Sequence, residues 1–317
     1  MKVTITGGGG FIGKKLARSL LDDNALGIEQ INLVDVAEAG PELTEDARVT
    51  SFAGDITDEA LLGEAIPADT DAVYHLAAVV SAGAEADFEL GYAVNLDATR
   101  HILEILRKHG GGKRMVFASS CASYGGDMPD VIDDRQQLTP QTSYGTQKAI
   151  GELLINDYSR KGFVDGRALR YPTVAVRPGK PNKAASTFVS SIIREPLHGE
   201  EAICPIPKET PMWIASPRTI VANTRLACEL DADAWGQWRA VALPGFTVTV
   251  EEMVAALGRV GGQKAVDLIK WQPDPLIEKI VLGWPARFDT ARALNMSFKQ
   301  DTTMDDVIRA FIEDEMS

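Results

Sequence analysis

Two side chains suited to acid–base chemistry stand four residues apart in the segment Tyr144-Gly145-Thr146-Gln147-Lys148. On a helix, residues at i and i+4 lie on one face, so the phenol and the ammonium would be neighbours. A free tyrosine has a pKa near ~10, too high to accept an alcohol proton readily at neutral pH. A nearby lysine cation favours the phenolate, so this spacing is suited to a general base. Alone the spacing is weakly diagnostic, because any long helix can carry it on a solvated face.

A serine-rich segment begins 25 residues before the tyrosine and reads Ser119-Ser120-Cys121-Ala122-Ser123-Tyr124-Gly125. It follows an apolar run that predicts a strand at residues 115–118. In a parallel sheet, a side chain at the carboxyl end of a strand points into the crevice where such sheets bind ligands. A serine hydroxyl placed there could hold a substrate oxygen beside the phenol.

Three glycines, Gly7, Gly10 and Gly13, stand between a predicted strand at residues 3–6 and a predicted helix at residues 11–21. Glycine at this spacing permits a tight turn, close approach of the backbone to a pyrophosphate, and packing of helix on strand without an intervening Cβ. The amino end of the helix then offers free N–H groups and a partial positive charge to phosphates. We therefore interpret residues 7–13 as the phosphate-binding turn of a dinucleotide site.

An aspartate ends the second predicted strand, which covers residues 31–34. Asp35 lies 22 residues after Gly13, where an acidic residue can accept hydrogen bonds from the ribose hydroxyls of adenosine. The following residues are Val36, Ala37 and Glu38, so a 2′-phosphate would meet carboxylates without a basic partner. The pattern favours NAD over NADP.

Strands and helices alternate through the first half of the chain. Apolar patterning also predicts strands at residues 72–75 and 167–170, and helices at 88–109 and 144–158. Such alternation indicates an α/β fold with a doubly wound parallel sheet of Rossmann type. Seven prolines between residues 178 and 217 predict mostly loop with short elements, before a strand at 238–243 and helices at 250–260 and 304–312. We expect a dinucleotide-binding domain over 1–176, with a returning segment around 214–244, and a smaller substrate-binding portion over 177–213 and 245–317.

The composition excludes several classes of partner. Lys and Arg number 32 against 45 Asp and Glu, a formal net charge of −13, whereas nucleic-acid and anionic-membrane surfaces need clustered basic charge. Three cysteines are too few for a disulfide scaffold and fit a reducing compartment. No apolar run reaches the ~18 residues of a membrane span, and the four histidines show no metal-ligand spacing. We expect a cytoplasmic protein with a small-molecule ligand and no nucleic acid, membrane or metal partner.

Together these motifs resemble the extended short-chain dehydrogenase/reductase superfamily of nucleotide-sugar epimerase type, over residues 1 to about 180. The resemblance rests on the glycine turn, Gly54-Asp55-Ile56, His75-Leu76-Ala77-Ala78, Asn95, the Ser-Ser…Tyr-Gly stretch and Tyr144-x-x-x-Lys148. It implies that Tyr144, Lys148 and Ser120 are catalytic. With the glycine turn and Asp35, the expected NAD contacts are Gly7, Gly10, Phe11, Ile12, Gly13, Asp35, Asp55, Ile56, Leu76, Ala77, Ala78, Asn95, Tyr144, Lys148 and Pro172.

A narrower resemblance extends over nearly the whole chain. Segments 86–91, 144–154, 160–167 and 176–182 are similar to a subgroup of bacterial dehydrogenases that oxidise the C2 hydroxyl of D-erythronate, a four-carbon sugar acid, to the 2-oxo acid. The resemblance implies a sugar-acid substrate whose carboxylate would need a cation, with Arg177, Lys183 and Arg218 as candidates. The expected substrate contacts are Ser81, Ser120, Ser123, Tyr144, Asn182, Thr187, Trp213 and Arg218.

Other functions remain open at this point. A nucleotide-sugar 4-epimerase would use the same catalytic set but would keep NAD bound and show no net redox. A non-catalytic NAD-binding regulator is disfavoured because both Tyr144 and Lys148 are present. A dehydratase is disfavoured because Cys121 and Ala122 stand where those enzymes carry an acidic pair. By analogy with similar enzymes, helices 88–109 and 144–158 would form the contact of a homodimer.

Overall fold

The computed structural model of the chain describes residues 1–179 and 185–316. Its strands are β1 (Lys2–Thr6), β2 (Gln30–Asp35), β3 (Val49–Ala53), β4 (Ala72–His75), β5 (Arg114–Ser120), β6 (Asp165–Tyr171), β7 (Thr173–Val174), β8 (Ala202–Cys204), β9 (Pro211–Ala215), β10 (Ala240–Ala242), β11 (Phe246–Thr249) and β12 (Ile269–Trp271). Its helices are α1 (Phe11–Asp22), α2 (Pro41–Thr44), α3 (Glu59–Ala65), α4 (Ser81–Ala86), α5 (Phe88–Tyr92), α6 (Ala98–His109), α7 (Ser143–Arg160), α8 (Thr187–Leu197), α9 (Pro217–Glu229), α10 (Val250–Gly261), α11 (Gln263–Val266), α12 (Pro275–Val281), α13 (Ala291–Asn295) and α14 (Met304–Glu315).

Seven strands form one sheet in the order β10-β6-β5-β4-β1-β2-β3. The pairs β1·β2, β1·β4, β2·β3 and β4·β5 are parallel, with Val3 opposite Ile31 and Ala72. The chain runs from β1 outward to β3 and then crosses back to β4, so the sheet is doubly wound and the predicted fold class is confirmed. This order places the carboxyl ends of β1, β4 and β5 side by side at one edge, which positions the candidate site residues.

Helices cover the sheet through apolar stripes at helical spacing. In α1 the buried residues are Gly13, Leu16, Ala17, Leu20 and Leu21. In α6 they include Ile102, Leu103 and Leu106, which join a buried cluster with Val73, Met115 and Phe117 of the sheet. Burying side chains of this size stabilises the fold by about 2 kcal/mol each in transfer terms. The same packing determines the rotation of each helix about its axis, and so which side chains point away from the sheet.

The helix expected over residues 88–109 is a helical run of three parts. Between α5 and α6 the segment Ala93–Asp97 forms a π-helical turn. An extra residue in one turn rotates the helix faces on either side of it, and such turns are frequent at functional sites. Asn95, one of the expected cofactor residues, lies in this turn and is 1% exposed.

The described residues divide into two compact units. The first comprises Met1–Ser123, Thr142–Arg170 and Val221–Val241; the second comprises Tyr124–Gln141, Tyr171–Ile220 and Ala242–Ser317. The second unit includes Tyr124–Gln141, a stretch that the sequence-based bounds leave within residues 1–176. Those bounds stay a prediction.

The second unit is built on two small sheets and its own apolar core. One sheet has the order β11-β9-β7 and the other pairs β12 with β8. Its core includes Ile192 and Ile193 of α8, Met253 and Leu257 of α10, and Ile308 of α14. The expectation of mostly loop after residue 176 is wrong for α8, an 11-residue helix with Pro196 in its last turn. Pro196 lacks an N–H to donate to the carbonyl four residues back, and the helix ends one residue later at Leu197.

The packing at the glycine turn yields a stability prediction. A Cβ on Gly13 would lie 2.1 Å from the Gly7 carbonyl oxygen, whereas a Cβ on Gly63, inside α3, would meet nothing within 4 Å. We expect Gly13→Ala to destabilise the protein by about 2 kcal/mol, because backbone must move to admit the methyl group. Gly63→Ala should stabilise it by up to about 1 kcal/mol, because alanine restricts the unfolded chain. Thermal denaturation of both variants checks this, and a wild-type melting temperature for Gly13→Ala would contradict it.

Candidate active site

The glycine turn leaves no room for side chains where β1 meets α1. Gly7 adopts φ +72°, and a Cβ on it would lie 2.8 Å from the Ala77 backbone nitrogen. The Gly7 N–H donates to the Val34 carbonyl at 2.8 Å and the Gly10 N–H donates to the Gly7 carbonyl at 3.1 Å. Gly10 precedes α1 without any side-chain cap. The turn therefore forms a bare backbone cradle at a helix amino end, which fits a pyrophosphate.

Asp35 is tied to this turn from the end of β2. Its carboxylate accepts hydrogen bonds from the Gly9 N–H at 3.0 Å and the Val36 N–H at 2.8 Å. The side chain is half-buried, and both carboxylate oxygens retain a lone pair for further donors. The position suits a ribose diol.

The other expected cofactor residues lie around the same strand ends. Leu76, Ala77 and Ala78 follow β4 and are half-buried, as are Phe11 and Ile12 in the first turn of α1; Asp55 is exposed and Pro172 is buried. Ile56 is 5% exposed because its side chain packs into the apolar core. Only its backbone is therefore available to a ligand. The bare turn, the aspartate and these half-buried edges fit a dinucleotide such as NAD.

Asn95 has its side-chain amide engaged by the protein itself. Its Oδ1 accepts from the Val79 N–H at 2.8 Å, and its Nδ2 donates to the Val79 carbonyl at 3.0 Å and to Gln147 Oε1 at 2.7 Å. Asn95 thus joins the loop after β4 to the helix that carries Lys148. In the structure Asn95 positions these two segments.

A buried chain of hydrogen bonds, which sequence reasoning missed, leads from β1 to Asn95. Thr99 Oγ1 donates to the Asn95 carbonyl at 2.8 Å and lies 2.9 Å from His75 Nε2; His75 Nδ1 lies 2.6 Å from Thr6 Oγ1. Because the Thr99 proton is already used, His75 must donate from Nε2 and accept at Nδ1 from Thr6. Burial, with the charge of Lys148, lowers the pKa of His75 to about 3, so the ring is neutral.

The three expected catalytic residues meet in the first unit. Ser120 is the last residue of β5 and Tyr144 is the second residue of α7. The Ser120 hydroxyl lies close enough to the Tyr144 phenol to lower its pKa. The Lys148 side chain is 1% exposed, with Nζ 4.6 Å from the centroid of the Phe117 ring and 5.6 Å from that of Tyr144. A phenol, a hydroxyl and an ammonium therefore surround one small space, as general-base chemistry on an alcohol requires.

Burial changes the acid–base properties of this group. It raises the pKa of Tyr144 to about 12, while the hydrogen bond with Ser120 lowers it. Burial also lowers the pKa of Lys148 to about 7, and the charge of Glu152 raises it. The expected lowering of the Tyr144 pKa by the lysine is not seen in the protein alone, because the effect of burial on this pKa is larger. Ser120 acts in the opposite direction to burial and favours the phenolate.

The expected substrate residues fall into separate environments. Ser81 begins α4 and is half-buried, and Thr187 begins α8. Ser123 is fully buried and donates its Oγ proton to the Ser120 carbonyl at 2.8 Å, so it supports Ser120 from behind. Asn182 and Lys183 lie outside the described residues.

Trp213 and Arg218 belong to the second unit. The Trp213 ring packs on Phe288 with centroids 5.0 Å apart, and its Nε1 is buried without an acceptor among residues 1–179 and 185–316. Arg218 is exposed and pairs with Asp314 at 2.6 Å and Glu313 at 2.8 Å. Two carboxylates already neutralise this guanidinium, which makes it a weaker candidate for a substrate carboxylate.

Known proteins match the chain along its length. Residues 3–213 match the NAD dependent epimerase/dehydratase family. The chain is 51% identical over 321 residues to a D-erythronate dehydrogenase from Cupriavidus necator, covering 99% of this chain and 98% of that protein. It is 49% identical over 317 residues to a D-erythronate dehydrogenase from Haemophilus influenzae, covering 100% of both.

A solved structure agrees with the fold. The nucleoside-diphosphate-sugar epimerase from Agrobacterium tumefaciens superposes with a TM-score of 0.95 at 40% identity, covering 100% of this chain and 94% of that one. No helix within the described ranges combines the length and apolar character needed to cross a membrane. Nor does that part of the chain bring together three His, Cys, Asp or Glu residues able to hold a metal ion.

Asp35 offers a test of the ribose site. We expect Asp35→Ala to weaken NAD binding more than NADP binding and to lower the preference for NAD by about tenfold or more. NAD loses hydrogen bonds from its ribose to the carboxylate, which cost about 1.5–3 kcal/mol each. NADP is no longer repelled, because the carboxylate that faces its 2′-phosphate is removed. Dissociation constants for both dinucleotides measure the ratio. Glu38→Ala, which removes an exposed charge three residues later, is the control. An unchanged ratio in Asp35→Ala would assign the ribose to another group.

Proposed function

The chain belongs to the NAD dependent epimerase/dehydratase family, and from this premise we propose that it oxidises the C2 hydroxyl of D-erythronate to the 2-oxo acid with NAD. The observation that carries the proposal is the Ser120–Tyr144–Lys148 group at the strand ends beside the bare glycine turn. The chain is an NAD-dependent dehydrogenase. We assign the substrate from two full-length relatives, 51% and 49% identical to this chain, which are named D-erythronate dehydrogenases.

Each catalytic residue has a separate task in this reaction. The Tyr144 phenolate takes the proton of the substrate hydroxyl as the carbonyl forms. Ser120 donates a hydrogen bond to the reacting oxygen and holds it beside the phenol. Lys148 supplies positive charge that favours the phenolate. When bound, NAD supplies the hydride acceptor; Gly7, Gly10, Phe11, Ile12, Gly13, Asp35, Asp55, Ile56, Leu76, Ala77, Ala78, Tyr144, Lys148 and Pro172 would hold it.

The alternative, a nucleotide-sugar 4-epimerase, would use the same three residues, and the Agrobacterium structure is named a nucleoside-diphosphate-sugar epimerase. The more similar full-length relatives are dehydrogenases, and they favour net oxidation of the substrate. The two activities differ in stoichiometry, because a dehydrogenase releases one NADH for each acid oxidised. An epimerase would return the hydride to its substrate and accumulate none.

Of the candidate cations, Arg177 is the one that we favour for the substrate carboxylate. Its backbone is fixed by a 3.0 Å bond from its N–H to Ser190 Oγ and a 2.7 Å bond from Arg194 Nη1 to its carbonyl. Burial and the charge of Arg194 lower the pKa of Arg177. Within the described ranges no carboxylate pairs with its guanidinium, and an arginine can bind a carboxylate through two parallel hydrogen bonds. Ser81, Thr187 and Trp213 remain proposed contacts to the hydroxyls.

We also propose a cytoplasmic homodimer. Exposed apolar side chains on α5 and α7 include Phe88 at 58%, Leu90 at 43% and Leu153 at 59% exposure. A second copy of these helices would cover them. Cys121, Cys204 and Cys228 form no disulfide bonds, which fits a reducing compartment.

Tyr144 is the residue whose loss should separate binding from chemistry. We expect Tyr144→Phe to retain NAD binding and to lower kcat by ~10²–10⁴-fold, because the general base is gone while the glycine turn is intact. Tyr158→Phe is the matched control: it removes a phenol from the same helix, where the hydroxyl bonds to Glu104, and should keep turnover. Oxidation by Tyr144→Phe within tenfold of wild type would exclude Tyr144 as the base.

The substrate proposal is tested with two four-carbon compounds. D-erythronate should be oxidised with stoichiometric NADH, whereas erythritol, which has an alcohol in place of the carboxylate, should show a kcat/KM at least ~10²-fold lower. Donors built to bind a carboxylate are left unpaired by the alcohol. NADH absorbance at 340 nm measures both, and comparable rates would rule out a sugar-acid site.

The same assay examines the carboxylate contact. Arg177→Ala should mainly raise KM, because the carboxylate is charged in both the ground state and the transition state. Arg218→Ala, in which an already paired guanidinium is removed, should leave KM close to wild type. A raised KM in Arg218→Ala with an unchanged KM in Arg177→Ala would identify Arg218 as the residue that binds the carboxylate.

A further inference from the structure

A buried carboxylate lies directly behind the catalytic group. Glu152 accepts a hydrogen bond from Ser119 Oγ at 2.5 Å. Arg170 donates to it from Nε at 3.0 Å and from Nη2 at 2.7 Å. The Glu152 and Arg170 side chains are 0% and 1% exposed. Ser119, Glu152 and Arg170 thus form a buried polar cluster inside the first unit.

This cluster joins the elements that carry the reaction. Tyr144, Lys148 and Glu152 recur every four residues on α7, so all three lie along one face of the helix. Ser119 immediately precedes Ser120 at the end of β5, and Arg170 stands near the end of β6. One carboxylate therefore holds three separate elements in register at the edge of the sheet.

We propose that Glu152 is a positioning residue for the reaction: its carboxylate fixes the end of β5 that carries Ser120 and stands one turn of α7 after Lys148, as an opposite charge for the buried ammonium. The expected effect of Glu152 on turnover rests on the proposed function. Its effect on Ser120 and Lys148 concerns the cofactor-free protein and does not depend on the substrate.

The charges around Lys148 support this role. Tyr144 and Glu152 on its own helix and His75 on β4 are the titratable groups that face it among the described residues. His75 is neutral, and Arg170 is paired with Glu152. Burial lowers the pKa of Lys148 to about 7, and Glu152 is the group that raises it. Removing that charge must shift the lysine toward its neutral form, because an opposite charge nearby favours the charged state.

The cost of the cluster indicates that it serves more than stability. Burying two charges carries a desolvation penalty that their attraction often fails to repay, and apolar residues of similar volume commonly stabilise a fold as well. A buried pair placed beside a catalytic lysine is therefore better explained by the electrostatic state of that lysine. A second ion pair on the same strand, between the buried Arg167 and the half-buried Asp165, allows this to be tested.

The experiment measures the charge of Lys148 directly in the cofactor-free protein. NMR titration of ¹³Cε-lysine, with the Lys148 signal assigned by its absence in Lys148→Arg, gives its pKa. We expect Glu152→Gln to lower that pKa by about one unit, the lower end of the shift that an opposite charge produces. Asp165→Asn removes the carboxylate of the other buried arginine pair, about 16 Å along the strand at 3.3 Å per residue, and should leave the pKa unchanged. An unchanged pKa in Glu152→Gln, or an equal shift in both variants, would overturn the charge role.

A second variant tests the positioning role without changing any charge. Ser119→Ala should lower kcat for erythronate oxidation by about tenfold with little change in KM and with a wild-type Lys148 titration, because only the hold on Ser120 is loosened. A kcat within twofold of wild type would overturn it, and this arm stands even if Glu152→Gln does not fold. If wild-type protein fails to oxidise erythronate while the Lys148 titration shifts as expected in Glu152→Gln, the proposed substrate fails and the charge role stands.

Discussion

The burial of the Lys148 ammonium is the constraint on which the rest of the site depends. A lone charged amine out of water is costly, and the chain offsets that cost with the Phe117 ring face at 4.6 Å and the charge of Glu152. Phe117 lies on β5, which also carries Ser120, and Glu152 lies on α7, which also carries Tyr144. The contacts that stabilise the buried lysine therefore also hold Ser120 near Tyr144.

The second constraint is the absence of side chains at the glycine turn. Gly7 and Gly13 approach other backbone closely. No side-chain atoms therefore separate the backbone of β1, α1 and the loop after β4 at this turn. The hydrogen bonds from Thr6 through His75 and Thr99 to Asn95 then extend this rigidity to Gln147 on α7. The cradle proposed for the cofactor and the helix that carries the proposed base are thus linked through fully buried polar groups, which are costly to leave unpaired.

Recognition of a sugar acid depends on which cations remain available. Sequence reasoning treats Arg177 and Arg218 alike, since both follow loops of the second half and both could bind a carboxylate. The fold separates them, because the end of α14 brings Glu313 and Asp314 to Arg218, whereas within the described residues the charge that acts on Arg177 is the cation Arg194. The distinction comes from residues almost a hundred positions apart, and no local pattern carries it.

The sequence by itself determined the fold class and the catalytic candidates. Glycine spacing, apolar periodicity and the Tyr144–Lys148 interval are local properties, and backbone sterics and helix geometry convert them directly into a turn, a sheet and a shared face. The sequence did not reveal the π-helical turn at Asn95, the helix α8 or the neutral His75. Nor did it reveal the buried pairing of Glu152 with Arg170, although the place of Glu152 four residues after Lys148 was visible. Only the tertiary structure decided these, because burial and pairing between distant strands set the charge and the partners of each polar group.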